Sequence, residues 1–216
     1  MFALKITAAA ALTLFALSGA QAAWLSGRVF VIDPGHGVLR VGGAPLNVGA
    51  VSPDGLSEAA INLRVGEKIA TLLRAEGARV VLTRSFLEPF RVGTNVRRDN
   101  RARAALANRL GATAFVAIHC DSSLDPSRRG YSVFWLHRNS RTLAQNMRAA
   151  FSSLDLGESQ FRQRDLAVTS EAKVPAVLVE LGFISNSAQA AHLRDPPFQE
   201  VEARAIVKAL EQTFAR

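Results

Sequence analysis

Two histidines and a glutamate stand where apolar runs end. Ala114-Phe-Val-Ala-Ile runs into His119, Val29-Phe-Val-Ile into the turn Asp33-Pro-Gly-His36, and Ala176-Val-Leu-Val into Glu180. Short, continuous apolar runs with a polar stop read as buried strands of a parallel sheet, and open α/β sheets bind their ligands outside the carboxyl ends of such strands. Two imidazoles and a carboxylate delivered to one sheet edge suit a metal hydrolase. A catalytic zinc takes three protein ligands from His, Asp and Glu and keeps a fourth position open. His36, His119 and one carboxylate meet that count, and the residue types alone leave open which carboxylate it is.

Other routes to hydrolysis find less support. No H-E-x-x-H pair and no G-x-S-x-G elbow occurs in the chain, which argues against the common zinc-protease helix and against a serine nucleophile. His137 and His192 lie in polar surroundings and read as surface residues. Cys120 directly follows His119. It is a thiolate nucleophile, a fourth ligand or a small buried hydrophobe, and the last is the commoner role of a free cysteine beside a strand.

The elements that must position these groups follow in order. Arg28 to Asp33 reads as the first strand and Asp33-Pro-Gly-His-Gly37 as its tight exit turn. A loop from Val38 to Gly55 follows. Ser57 opens a helix in which Ile61, Val65, Ile69, Leu72 and Leu73 keep a helical period up to Gly77. Glu58 sits in its first turn, where the helix dipole alone would explain an acid. Arg79 to Thr83 is a second strand, and an arginine-rich region with Pro89 and Gly93 follows. The helix Arg97 to Leu110 leads into the strand to His119. Beyond the polar loop Asp121 to Arg129, Gly130 to Leu136 reads as a strand near an edge and Ser140 to Leu154 as a helix. Gly157 to Arg164 reads as polar and irregular, and Asp165 to Thr169 as extended. After the strand to Glu180 and a loop from Gly182 to Ser187, Val201 to Phe214 closes the chain as an amphipathic helix. The expectation is a single α/β domain with a mostly parallel, twisted sheet and helices on both faces.

Bulk properties narrow the setting. Lys5, the apolar stretch Ile6 to Leu17 and Ala20-Gln-Ala22 have the layout of an export signal. Residues 1–22 are therefore expected to be removed and 23–216 to form the domain, periplasmic or secreted, with no stable membrane insertion after cleavage. The single cysteine excludes an internal disulfide, so stability must come from the core. The net charge of +8 is mostly arginine. Such charge suits an acidic wall polymer, an anionic membrane face or nucleic acid. No basic block interleaved with aromatics marks a nucleic-acid site, so none is expected.

Six segments carry a resemblance to a known family. They are Val31-Ile-Asp-Pro-Gly-His-Gly37, Ser57-Glu-Ala-Ala-Ile-Asn-Leu63, Val80-Val-Leu-Thr-Arg84, Arg103 with Ala107-Asn108, Phe115-Val-Ala-Ile-His119, and Val174-Pro-Ala-Val-Leu-Val-Glu-Leu-Gly-Phe-Ile-Ser-Asn186. In this order and context they resemble zinc-dependent N-acetylmuramoyl-L-alanine amidases of the Amidase_3 family, over essentially the whole chain after the signal.

The resemblance implies that His36, Glu58 and His119 bind Zn²⁺ and that Glu180 is the catalytic carboxylate, moving a proton from water to the leaving amine. It replaces the dipole reading of Glu58. The implied substrate is peptidoglycan, cut between N-acetylmuramic acid and L-alanine. A monomer is expected, with a protein activator as a partner besides peptidoglycan. Asp33 either supports a ligand ring or stabilises its turn. Arg128 and Arg129 either meet wall carboxylates or are solvated.

Two departures stand out. The stretch from His36 to Glu58 is longer than the family's usual loop, and Cys120 replaces a small residue such as alanine. Between His119 and Glu180 there is no room for the long self-blocking helix that some relatives insert. The alternatives are another exported zinc amide hydrolase or peptidase, or a wall-binding protein without catalysis.

Overall fold

The computed structural model describes residues 23–41, 44–85 and 96–215. The expected signal at 1–22 and the arginine-rich stretch around Pro89 and Gly93 lie outside the described residues. Six strands form the main sheet: β1 (Val29–Pro34), β4 (Arg79–Leu82), β5 (Ala114–Asp121), β6 (Tyr131–Trp135), β7 (Glu158–Gln163) and β8 (Ala176–Phe183). Their spatial order is β4-β1-β5-β8-β6-β7. The first four run parallel; β6 is antiparallel to β8, and β7 is parallel to β6. This is the α/β fold expected, with a mostly parallel sheet.

Alternating side chains of the central strands feed two cores. Phe30, Ile32, Val116, Ile118, Val177 and Val179 point to one face, covered by α1 (Glu58–Ala75), α3 (Arg141–Ser152) and α6 (Pro196–Phe214). Val31, Phe115, Ala117, Ala176 and Leu178 point to the other, covered by α2 (Val96–Arg109) and the short α4 (Ala167–Glu171). Burial on both faces is why these strands read as continuous apolar runs. Registers Pro34↔Ile118 and His119↔Glu180 bring the carboxyl ends of β1, β5 and β8 to one edge. Among the described residues no helix is long and apolar enough to cross a membrane.

Four local expectations need correction. Gly157 to Arg164, read as irregular, contains β7. An edge strand pairs on one side only and needs no apolar run; Phe161 supplies its packing against Trp135, with ring centroids 4.5 Å apart. Asp165 to Thr169, read as extended, runs into α4 instead. The Thr169 hydroxyl accepts from the Leu166 N–H at 3.2 Å and donates to the Arg164 carbonyl, which stabilises the helical turn. The loop from Val38 to Gly55 contains a two-stranded ribbon, β2 (Gly37–Val41) and β3 (Ala44–Asn47), outside the main sheet. The last helix starts at Pro196, ahead of Val201, because Asp195 caps it by accepting from the Phe198 N–H; α5 (Ser187–Arg194) precedes it.

One residue of α6 is at odds with its face. Glu202 is fully buried, and neither carboxyl oxygen has a hydrogen-bond partner among the described residues. An unsatisfied buried polar group costs about 1–3 kcal/mol. Ile206 and Leu210, buried on the same helix, offset this, since full burial of such a side chain contributes roughly 1.5–3 kcal/mol. Burial pushes the Glu202 carboxyl well above the usual carboxylate range. The unfolded chain loses this proton at lower pH than the folded chain does, so Glu202 lowers stability as pH rises above its unfolded value. Glu202→Gln, which cannot ionise, is expected to melt above the parent at pH 7, by about 2–4 °C for each kcal/mol recovered. The gap should close towards pH 4.5, the ordinary value of the group. Thermal melts that track the parent at every pH would remove Glu202 from this linkage.

Candidate metal centre and active site

The turn after β1 delivers the first histidine. Pro34 and Gly35 end the strand, the Gly35 N–H donates to the Ile118 carbonyl at 2.8 Å, and His36 takes a left-handed φ of 61°. A non-glycine residue rarely adopts that conformation. Here it directs the ring towards α1: His36 Nε2 lies 3.0 Å from Glu58 Oε1, while Nδ1 lies 2.7 Å from Asn47 Oδ1 at the end of β3. An Asn carbonyl oxygen only accepts, so this contact holds a proton on Nδ1, and Nε2 faces Glu58, where either a second ring proton or a metal ion can bridge the two.

Glu58 comes from the other direction. Ser57 caps α1 by accepting from the Ala60 N–H, and Glu58 occupies the first turn. It is only 4% exposed, so it is not a solvated dipole-compensating acid. Its Oε2 accepts from the Ala50 N–H at 3.0 Å and its Oε1 from the Cys120 N–H at 3.0 Å. Burial works against its charge, but hydrogen bonds from His119 and His36 outweigh it and hold the carboxyl far below the usual carboxylate range. The effect is reciprocal at His36. Burial disfavours its charged form, yet the hydrogen bond and charge of Glu58 raise its pKa. The centre therefore attracts positive charge, as protons or as a cation.

His119 follows Ile118 at the carboxyl end of β5, on the sheet face opposite Cys120. Its Nδ1 lies 3.0 Å from Glu58 Oε1, and its other edge lies over Gly35. A Cβ at Gly35 would fall 2.3 Å from His119 Cε1 and Nε2, closer than real Cβ contacts come. Glycine is thus required in this turn by the second histidine. Gly49, with φ of 71°, leaves room in the same way for the Glu58 carboxylate.

Ligand atoms of His36, Glu58 and His119 all lie within 4.8 Å of one another, the only such group of three among the described residues. Two neutral imidazole nitrogens and an ionised oxygen are a donor set that fits zinc. Glu180 pairs in register with His119 on one side and Ser132 on the other. As a residue it is partly exposed, while its Oε2 is enclosed without a hydrogen-bond partner among the described residues. Burial, with the charges of Glu58 and Asp121, pushes its carboxyl well above the usual range. A carboxyl that readily holds a proton beside a metal-capable triad has the makings of a proton carrier.

The remaining residues sort clearly. His137 and His192 are exposed and belong to no metal-capable group among the described residues. Cys120 is buried on the α1 and α6 side, its Sγ 3.6 Å from Asn62 Oδ1, and burial with the charge of Glu58 pushes its thiol well up. That is an inert thiol, as the buried reading expects. Asp33 accepts from the Thr83 hydroxyl and from Arg103 Nη1 at 2.9 Å. Both partners belong to the turn's support, and neither is a ligand ring. Arg128 and Arg129 are exposed, with Arg128 stacked over Phe183.

Sequence reasoning gave no role to Asn47, Asn62, Arg84 or Arg103. Asn62 donates to the Gly35 carbonyl and to Glu58 Oε1. Arg84 and Arg103 are buried behind the His36 turn. Burial and the charge of Arg103 lower Arg84 to about 10, which leaves it charged at neutral pH. All but Asn47 stood inside the resembling segments, yet nothing in their types indicated their targets.

Gly35→Ala is expected to displace the His119 ring and weaken zinc binding, with the helical and strand content kept. Zinc titration alongside circular dichroism checks this, and parental affinity in the folded variant would contradict the contact. Cys120→Ala is expected to keep the parental zinc content, measured on the purified protein.

Comparison with known proteins follows the same lines. The family model described as Amidase_3, N-acetylmuramoyl-L-alanine amidase, matches residues 30–212. The chain is 31% identical over 193 residues to the probable cell wall amidase LytH of Staphylococcus epidermidis, which covers 88% of this chain. It spans 60% of that relative's length, less than two thirds. Among solved structures, the amidase AmiC2 of Nostoc punctiforme superposes with a TM-score of 0.75 at 28% identity, covering 87% of this chain and 98% of that one. The CwlD amidase of Clostridioides difficile, solved in complex with the GerS lipoprotein, has a TM-score of 0.71 at 25% identity, covering 86% and 97%. With the family model matched across nearly all of the described fold, the chain belongs to the Amidase_3 family of N-acetylmuramoyl-L-alanine amidases.

Proposed function

We propose that this protein is an exported, zinc-dependent amidase that hydrolyses the bond between the lactyl group of N-acetylmuramic acid and L-alanine in peptidoglycan. The observation that carries the reading is the placement of the Glu180 carboxyl at the end of β8, in register with His119 of the triad His36, Glu58 and His119. His36 Nε2, His119 Nδ1 and a Glu58 carboxylate oxygen are the atoms that would hold the ion. Bound there, zinc supplies Lewis-acid chemistry, which polarises a carbonyl and makes water easier to deprotonate at neutral pH.

The protein's own groups handle the protons. Water adds to the amide carbon, and Glu180 takes the proton that the water gives up. The carbon–nitrogen bond then breaks, and Glu180 returns the proton to the departing nitrogen, which leaves as the amine of L-alanine. The lactyl group leaves as the carboxylic acid, which then gives its proton to the solvent or to the released amine. An amide nitrogen leaves poorly unless protonated, so one carboxyl that can both accept and return a proton serves both halves of the reaction.

Residues 1–22 act in this reading as the export signal and 23–216 as the mature domain, in the periplasm or outside the cell. In this reading the mature protein works as a monomer on peptidoglycan, without nucleic acid and without stable membrane insertion after cleavage. A regulatory protein partner fits the relative solved with a lipoprotein.

Digestion of isolated sacculi, read by mass spectrometry, tests the bond specificity. Release of intact stem peptides from glycan is expected; cuts within stems or crosslinks would make the protein a peptidase, and no cleavage with zinc bound would make it a wall binder. Glu180→Gln is expected to keep its zinc and lose roughly 10²- to 10⁴-fold in rate. Loss of zinc in that variant would exchange its role with that of Glu58. His36→Ala and His119→Ala are each expected to lose tightly bound zinc, by metal analysis.

A further inference from the structure

The turn carrying His36 directs three successive carbonyls, those of Pro34, Gly35 and His36, into the protein interior. Two buried guanidinium groups from distant parts of the chain meet them. Arg84, just after β4, donates from Nε to the Pro34 carbonyl at 2.8 Å and from Nη2 to the Gly35 carbonyl at 2.9 Å. The same Nη2 donates to the Ala59 carbonyl at 2.8 Å, in the first turn of α1. Arg103, on α2, donates to the Pro34 carbonyl at 3.3 Å and to the His36 carbonyl at 2.9 Å. Asp33 and Asp99 balance the charge, each paired with Arg103.

We propose that Arg84 and Arg103 are positioning residues for the metal centre, setting the separation of His36 from Glu58. One nitrogen of Arg84 ties the residue before His36 to the residue after Glu58, so neither ligand can shift along its own element without breaking a buried hydrogen bond. Arg103 fixes the His36 carbonyl and with it the left-handed backbone that aims the ring. Glycine at 37 belongs to the same arrangement, since a Cβ there would meet Arg84 Cδ at 3.1 Å. A planar fork with several donors can span these carbonyls at once, whereas a lysine ammonium cannot.

The inference rests on the metal reading of the triad, and the test separates the two. Zinc affinity of the full chain is measured by competition with a chelator, together with the visible spectrum of the cobalt-substituted protein, which reports ligand geometry. Arg84→Lys and Arg103→Lys are each expected to lose about 10- to 100-fold in zinc affinity and to show shifted cobalt bands. Phe151→Leu, a core change in α3, serves as a control that lowers the melting temperature and keeps parental affinity and spectrum. Lysine variants with parental affinity and spectrum, whatever their melting temperature, would overturn the proposal. Where they do not fold, Asp99→Asn, which loosens Arg103 alone, decides: a smaller loss of affinity supports the proposal and an unchanged affinity overturns it. A parent that binds no zinc would instead remove the metal reading itself.

Discussion

A carboxylate buried at the start of a helix has to be compensated, and the centre of this protein is built around meeting that demand for Glu58. Water cannot solvate it at 4% exposure. Two backbone N–H groups, from Ala50 and Cys120, and two imidazoles take water's place. They come from three elements: the segment before α1 gives Ala50, the end of β5 gives His119 and Cys120, and the turn after β1 gives His36. An unpaired buried charge is strongly unfavourable, so Glu58 stays ionised only where these elements meet in this arrangement. The same compensation leaves a site with unspent affinity for positive charge. Stability and metal capability are two consequences of one buried ion.

Around that point the sheet works as a ruler. Parallel strands in register bring His119 and Glu180 side by side, and the pleat sends both to the face opposite Cys120. A one-residue slip in either strand would exchange His119 or Glu180 for a core side chain. The apolar neighbours Ile118, Val179 and Leu181 prevent it, because each would then leave its core. The Cys120 thiol is kept away from the triad by this alternation rather than by distance along the chain.

Much of this was legible beforehand. Strands buried on both faces advertise themselves as uniform apolar runs, and His36, His119 and Glu180 stand at their ends. Glu58 was legible only through the resemblance, because an acid in the first turn of a helix has an ordinary explanation. β7 escaped because an edge strand with one packed residue, Phe161, carries no period to detect. α4 escaped because a five-residue helix held by the Thr169 hydroxyl is too short for one.

The sequence by itself determined the layered α/β class, the order of its elements and the residue types that do chemistry, since these depend on local apolar periodicity and turn chemistry. The tertiary structure alone decided which long-range partners those residues acquire. That Asn47 orients His36, that Gly35 exists to admit the His119 ring, and that Arg84 joins the turn to α1 are contacts between segments far apart in the chain. A side chain's type says which bonds it can make. Only the closed fold, by excluding water from those groups, decides which of them it must make.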